Sequence, residues 1–505
     1  MRPKTILPGL PEAFVTTPEL SSAVSRGVLE GILRSLAPRV YTKNLDDPAE
    51  TIIRRHLWEL VSGLVPGALI ADRTVLELRP AHDGSIFVVS DRKRDIKLPG
   101  LVIRSRKGPP ALPDSDRAFI GTLFISSPAR AYLDNMAASR QSGDRARRTM
   151  TREELEANLD HAIRSQGGDA LNKIRDQARA IAPRIGREAE LVAFDRLLSS
   201  LLGTHDAPLL TAHGRARQAG MPYDPDRLLL FETLYKELRA TAPVSRLARD
   251  HGPAGRTNLA FFEAYFSNFI EGTKFAVDEA ADIIFHNVIP QSRPADAHDI
   301  AGTWRIVSDP TEMSTTPADP ASLLQLLKRR HAVVMTGRPE KRPGAFKLET
   351  NQSGSTVFVA PDLVEGTLIK GFDLYRSLDT PFARAVYLML LITEVHPFTD
   401  GNGRTARIMM NAELVASAEE RILIPTVLRD SYISALKALS GAKNPQPLVR
   451  VLNYAQRWVA AVHWGELQQT RAALERCNAF LESSEAEERG LSLRFPEHAA
   501  PGAGS

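Results

Sequence analysis

One twelve-residue stretch collects most of the residues able to do chemistry: His396-Pro397-Phe398-Thr399-Asp400-Gly401-Asn402-Gly403-Arg404-Thr405-Ala406-Arg407. Glycines let backbone N–H groups approach an anion closely, and a helix N-terminus adds partial positive charge, so Gly401, Asn402 and Gly403 suit a phosphate cradle. Arg404 and Arg407 are three apart, hence on one helical face. Two guanidinium forks there match a polyphosphate better than a single carboxylate. Asp400 is an oxygen donor beside the loop, and Mg²⁺ commonly takes one or two carboxylates together with substrate phosphates. His396, with an ordinary pKa near ~6.5, is the nearby group that can take a proton at neutral pH. The chemistry indicated is attack by a hydroxyl, deprotonated by His396, on a bound Mg-nucleotide.

These residues need two helices and a turn to hold them. Residues 382–395 are apolar almost all round, including Val386, Leu388, Met389, Leu390, Leu391 and Ile392, which predicts a helix buried on nearly every side and closed by His396. Residues 405–418 predict a second helix, so the glycine turn lies just before its N-terminus. Earlier in the chain a helix beginning near Leu259 places Phe262, Tyr265, Phe266 and Phe269 at helical spacing. It ends in Ser267-Asn268-Phe269-Ile270-Glu271-Gly272, with Ser267 and Glu271 at i,i+4 beside a glycine stop. Residues 346–348 (Phe346, Lys347, Leu348) and 356–359 (Thr356, Val357, Phe358, Val359) flank a polar turn at 351–354 and read as a β-hairpin.

The stretch from His396 matches H-x-F-x-D/E-G-N-G-R-x-x-R at all eight fixed positions, and the chain therefore resembles the Fic family over roughly residues 257–461. The segments around His331, residues 344–347 and Gly366 share the likeness. The resemblance implies a mainly helical domain that transfers AMP from ATP to a Tyr, Thr or Ser hydroxyl of a target protein. His396 is then the base, Asp400 holds Mg²⁺, Gly401, Asn402 and Gly403 contact phosphates, Arg404 grips the polyphosphate, Arg407 orients the γ-phosphate and Phe398 anchors the loop. It also implies that the hairpin (Phe346, Lys347, Thr356, Val357, Phe358) is a flap aligning the target as an added strand. Ser267, Glu271 and Gly272 resemble the family's inhibitory element S/T-x-x-x-E-G/N, whose glutamate pairs with the second motif arginine, here Arg407. In some members that glutamate also serves removal of AMP, so a de-AMPylase remains open, as does another nucleotide donor. Arg429 and Tyr432 are candidates for the nucleobase pocket.

At 505 residues the chain exceeds one ordinary core, and its 43% apolar and 25% charged residues are those of a folded protein. The expected division is a winged-helix-like α+β module (1–145), a helical linker domain (146–252), the catalytic domain with its inhibitory helix (253–461) and a helical C-terminal tail (462–505). The basic excess, 64 against 60, is too small to indicate nucleic acid by itself. Cys477 alone permits no internal disulfide and suits a reducing, cytoplasmic setting. No apolar run predicts secretion or membrane insertion. In the N-terminal half, helices are expected over 20–37 and 52–64, and strands at 74–78, 86–89 and 101–103. With Ser126-Ser127-Pro128 these loosely resemble AbiEi-type winged-helix antitoxin modules. Arg92, Lys93, Arg94, Lys97, Arg104, Arg106 and Lys107 lie about the wing, which keeps a DNA-binding regulator with a nucleotide-sensing Fic fold as the rival reading. Homo-oligomerisation is left open.

Overall fold

A computed structural model of the chain describes residues 9–496 apart from positions 93, 142, 206, 243, 244 and 355. Helices dominate and the sheets are small, the mainly α architecture expected. The chain divides into two compact units, Met1–Gly220 and Met221–Ser505. Helices Arg152–Gln166 to Ala212–Gln218 fall in the first and Pro225–Ala240 in the second, so the segment 146–252 is shared between them.

In the first unit a three-stranded antiparallel sheet has Val40–Thr42 between Ala13–Val15 and Arg34–Ala37. A six-stranded mixed sheet follows in the order Ile96–Leu98, Leu101–Arg106, Ser85–Val89, Leu69–Ile70, Phe124–Ile125, Arg117–Ala118. Ser85–Val89 pairs in parallel with Leu101–Arg106 and is buried along its whole length, as strands covered on both faces are. Three local expectations differ. The helix expected over 20–37 is only Ser21–Leu29: Gly31 turns at φ +70° and Arg34–Ala37 pairs as a strand. Residues 52–64 form two helices, Ala49–Arg55 and Leu57–Leu64, parted at His56. Arg73–Glu77 is a helical turn rather than a strand, with Arg73 and Glu77 paired at i,i+4. Helix Arg152–Gln166 opens with a capping box between Thr151 and Glu154.

The basic residues about the expected wing divide in two: Arg94, Lys97 and Lys107 are exposed and have no carboxylate partner among the described residues, while two of the arginines are paired. Arg104 pairs with Asp83 and Asp95, and Arg106 with the buried Asp72 and Asp134. Arg92 donates to the carbonyl of Leu64, while Lys93 lies outside the described residues.

The second unit is built on helix Pro381–Val395, in which only Pro381, Arg384 and Thr393 escape full burial. Its side chains pack against helices Pro225–Ala240, Val364–Tyr375 and Asn402–Ala416. Each such aliphatic or aromatic side chain contributes about 1.5–3 kcal/mol by leaving water. A second core surrounds helix Gly252–Ile270 and includes Trp464, Leu474, Cys477, Ala479, Ala486 and Leu493. The segment after residue 461 is helical over Leu467–Arg476 and Ser483–Glu488 and contributes to this core. Helix Gly252–Ile270 starts seven residues before Leu259, because Pro253 is tolerated in a first turn. Gly255 is needed there: a Cβ would lie 2.2 Å from the carbonyl oxygen of Trp464. No helix among the described residues is long and apolar enough to cross a membrane.

Candidate active site

The motif loop is pinned from several sides. Thr380 caps the start of helix Pro381–Val395, and His396 closes it in the left-handed region, φ 51° and ψ 59°. That backbone costs a non-glycine residue about 1–2 kcal/mol, so neighbouring contacts must hold it. Phe398 is fully buried: its ring stacks on His331 with centroids 3.7 Å apart. Its N–H donates to Asn402 Oδ1 and its carbonyl accepts from Asn402 Nδ2, both at 2.8 Å. With Gly401 left-handed at φ 72°, this pair draws Asn402 into helical geometry, and the helix runs Asn402–Ala416, three residues earlier than expected. Gly401 has no room for a side chain, since a Cβ would meet Met335 Sδ at 2.6 Å.

His331 fixes the other side of the loop. Its Nδ1 accepts from the N–H of Gly344, so Nε2 carries the proton and donates to the carbonyl of Asp400 at 2.9 Å. Burial pushes its pKa down to about 4, with the Arg404 charge acting the same way and the Asp400 carbonyl opposing. The ring is therefore neutral at pH 7.

His396 Nδ1 lies 3.2 Å from the carbonyl of Thr393, which makes Nδ1 the donor and leaves Nε2 with a free lone pair. Burial pushes its pKa down to about 4; the Lys347 charge adds to this, and the Thr393 carbonyl, Glu271 and Asp400 oppose it. Phe358 stacks face to face on the imidazole at 3.8 Å. A cleft of about 180 Å³ opens here, lined by Glu271, Phe358, His396, Gly403, Arg407 and Tyr432 among others, while Arg404 and Asp400 are not among its lining.

The two arginines do not share a partner. Arg404 is 97% buried, 2.7 Å from Asp299 Oδ2 and 3.6 Å from Asp400 Oδ1, yet its Nε and Nη1 are out of line for any hydrogen bond with the described protein groups. Asp299 also takes Arg338 Nε at 2.8 Å. Arg407 is bound by the end of helix Gly252–Ile270. Its Nη2 donates to Glu271 Oε1 at 2.6 Å and to the carbonyl of Ser267 at 2.8 Å, and its Nε to Ser267 Oγ at 3.0 Å. The Glu271 carboxylate rests on the first turn of helix Asn402–Ala416, where a Cβ on Gly403 would be 2.1 Å from Oε1. Gly272, φ 95°, ends the segment.

A hairpin forms, but its first strand is displaced and its second, expected over 356–359, is only Thr356–Val357. Gln352–Ser353 pairs with Thr356–Val357, in the register Gln352↔Val357 and Ser353↔Thr356. Phe346 and Lys347 are not in the hairpin, because the core claims them. Phe346 packs on Phe398 with centroids 5.3 Å apart, and the Lys347 N–H donates to the carbonyl of Pro397. Arg429 is also elsewhere: it donates to the carbonyl of Ile270 and lines a separate cleft. Tyr432 does line the main cleft, almost fully buried, with its hydroxyl 3.3 Å from Met389 Sδ. Sequence reasoning did not find Asp299, Asn351 or the Arg227–Glu394 pair that lies beside the flap. Asp299 and Arg227 are remote in the chain, while Asn351 in the predicted turn and Glu394 two residues before His396 act through tertiary contacts that no local motif marks.

Residues 321–414 match the Fic/DOC family model. A Fido domain-containing protein of Dictyostelium discoideum is 31% identical over 99 residues, which cover 19% of this chain and 69% of the relative. The chain belongs to the Fic/DOC family. It is also similar to the protein adenylyltransferases fic-1 of Caenorhabditis briggsae and Caenorhabditis elegans. The first is 33% identical over 112 residues, 21% of this chain and 22% of the relative. The second is 26% identical over 200 residues, 38% of each. The match thus spans well under two thirds of those two enzymes. Among solved structures, a fragment of Fic-1 from C. elegans is 18% identical, covering 64% of this chain and 94% of that one at a TM-score of 0.34.

Proposed function

We propose that this Fic protein is an adenylyltransferase that moves AMP from ATP to a hydroxyl of a target protein, and that Glu271 restrains it. The observation carrying this reading is the motif loop itself: a neutral His396 with Nε2 free, beside a glycine-lined helix N-terminus and the buried Arg404. Its likeness to named protein adenylyltransferases supports the choice of reaction.

The N–H groups of the first turn of helix Asn402–Ala416 and the unpaired Arg404 Nε suit phosphate oxygens. A target hydroxyl gives its proton to His396 Nε2 as its oxygen bonds to the α-phosphorus. The bond from that phosphorus to the α,β-bridging oxygen breaks, and pyrophosphate leaves with the electron pair. Asp400 is the residue that would hold Mg²⁺: its side chain is 41% exposed, and Oδ2 has no protein partner among the described residues. The metal, when bound, supplies charge neutralisation on the phosphates. The described residues hold no cluster of three ligands, so most of its coordination would come from phosphates and water.

We read Glu271 as a competitor for the γ-phosphate. It accepts from Arg407 Nη2, while Ser267 takes Nε and shares Nη2, and it lies against the first turn of helix Asn402–Ala416. Intact-mass spectrometry after incubation with Mg²⁺ and ATP tests the assignment. Glu271→Gly should gain AMP adducts that wild type lacks, and Glu271→Gly with His396→Ala should gain none. Equal modification of wild type and Glu271→Gly would remove the brake; modification without His396 would remove the base. Of the basic residues that would serve the DNA-binding alternative, Arg104 and Arg106 pair with carboxylates, whereas Arg94, Lys97 and Lys107 are exposed.

A further inference from the structure

Lys347 is a buried lysine, 3% exposed, without a carboxylate partner among the described residues. Its Nζ donates to Asn351 Oδ1 at 2.7 Å and reaches the carbonyl of Val395 at 3.4 Å, while its backbone N–H donates to the carbonyl of Pro397 at 2.9 Å. Asn351 Nδ2 donates to the carbonyl of Phe398 at 2.9 Å. The carbonyls immediately before His396 and at the two residues after it are therefore all held by one short segment. Asn351 reaches His396 a second way, since its carbonyl accepts from the N–H of Phe358, whose ring covers the imidazole.

We propose that Lys347 is a positioning residue for His396: with Asn351 it grips the carbonyls of Val395, Pro397 and Phe398 and so maintains the left-handed backbone that aims the imidazole. A lysine buried without a counter-ion is costly to charge, and nothing in the packing demands one here. A methionine would fill similar space, which makes the polar grip the feature that requires explanation. The ammonium also adds, behind burial, to the lowering of the base's pKa. Burial, and then the nearby Arg227 charge, push the Lys347 pKa down to about 7. While protonated, Lys347 helps to keep His396 neutral, against the opposing Glu271 and Asp400. Above that pH the ammonium is lost, but the backbone N–H grip remains.

The kinetic arm of the test rests on the transferase reading; the titration arm does not. Histidine side chains are isotope-labelled, the His396 resonance is identified by its loss in His396→Ala, and its titration is followed by NMR in wild type, Lys347→Met and Lys347→Arg. The Lys347→Met titration midpoint should rise by at least ~0.5 pH unit, as removal of a nearby like charge requires, while Lys347→Arg stays low. In a Glu271→Gly background, Lys347→Met should lower kcat at least ~10-fold with KM for ATP within about twofold, the signature of misplaced chemistry rather than lost binding. Lys347→Arg should recover part of kcat. A folded Lys347→Met with unmoved midpoint and kcat overturns the proposal, as does a raised KM with unchanged kcat. If Lys347→Met does not fold, Asn351→Ala decides: kcat should fall while the His396 midpoint stays low, and an unchanged kcat overturns it. Absence of transfer in the Glu271→Gly parent would refute the enzyme reading while leaving the titration to judge Lys347.

Discussion

Replacing His331 with glutamine should flatten the acid side of the stability curve of the second unit. His331 is fully buried between Phe398, the N–H of Gly344 and the carbonyl of Asp400. Protonation would remove the lone pair that Gly344 uses and place a charge in the core. The folded-state pKa, about 4, lies below the ordinary 6.5, so the unfolded chain binds more protons between those values. Stability is complete above pH 6.5 and is lost as pH falls towards 4, by ~3 kcal/mol in all and at most ~1.4 kcal/mol per pH unit. His396 acts in the same direction and is present in both proteins, so the difference between them isolates His331. Denaturant titrations at a series of pH values would be followed by tryptophan fluorescence in a Trp58→Phe background, where Trp304, Trp458 and Trp464 all report the second unit. His331→Gln should be less stable at pH 7 yet lose less on acidification. Parallel pH profiles for the two proteins would refute the buried, neutral imidazole.

Asp299→Asn leaves Arg404 and Arg338 without their shared carboxylate, and should cost about 3–5 kcal/mol in thermal or denaturant unfolding. Phe358→Ala uncovers the His396 ring, so its pKa should rise from about 4 towards the ordinary range, visible by NMR titration. Gly403→Ala puts a methyl where Glu271 and Arg407 meet; it should displace the glutamate yet abolish transfer in the mass assay, since the same methyl narrows the phosphate turn. Arg106→Ala leaves Asp72 and Asp134 short of a partner and should destabilise the first unit by roughly 3 kcal/mol in denaturant titrations, whatever its effect on DNA.

The motif loop is legible because its residues are contiguous and their types are dictated by local needs: Gly401 by its positive φ, Asn402 by its two hydrogen bonds with Phe398, His396 by its position at a helix end. The pairing of Glu271 with Arg407 was anticipated from resemblance, since no local rule joins residues so far apart. Asp299, His331 and Lys347 act through tertiary contacts that a periodicity argument does not see. The hairpin's first strand lies at Gln352–Ser353 rather than at 346–348, because Phe346 and Lys347 look like strand residues but pack against Phe398 and Pro397. In the first unit, Val28, Leu29 and Ile32 continue a helical pattern that the structure leaves exposed, so amphipathic spacing overran the glycine stop at Gly31.

The most direct test of the central claim is to incubate Glu271→Gly protein with Mg²⁺ and either α-labelled or γ-labelled ATP, and to count label retained on protein after denaturing electrophoresis. Retention from the α position alone is predicted, because Arg404, Asp400 and the glycine turn are read as holding ATP for attack at the α-phosphorus. Retention from the γ position, or from neither, would contradict the account.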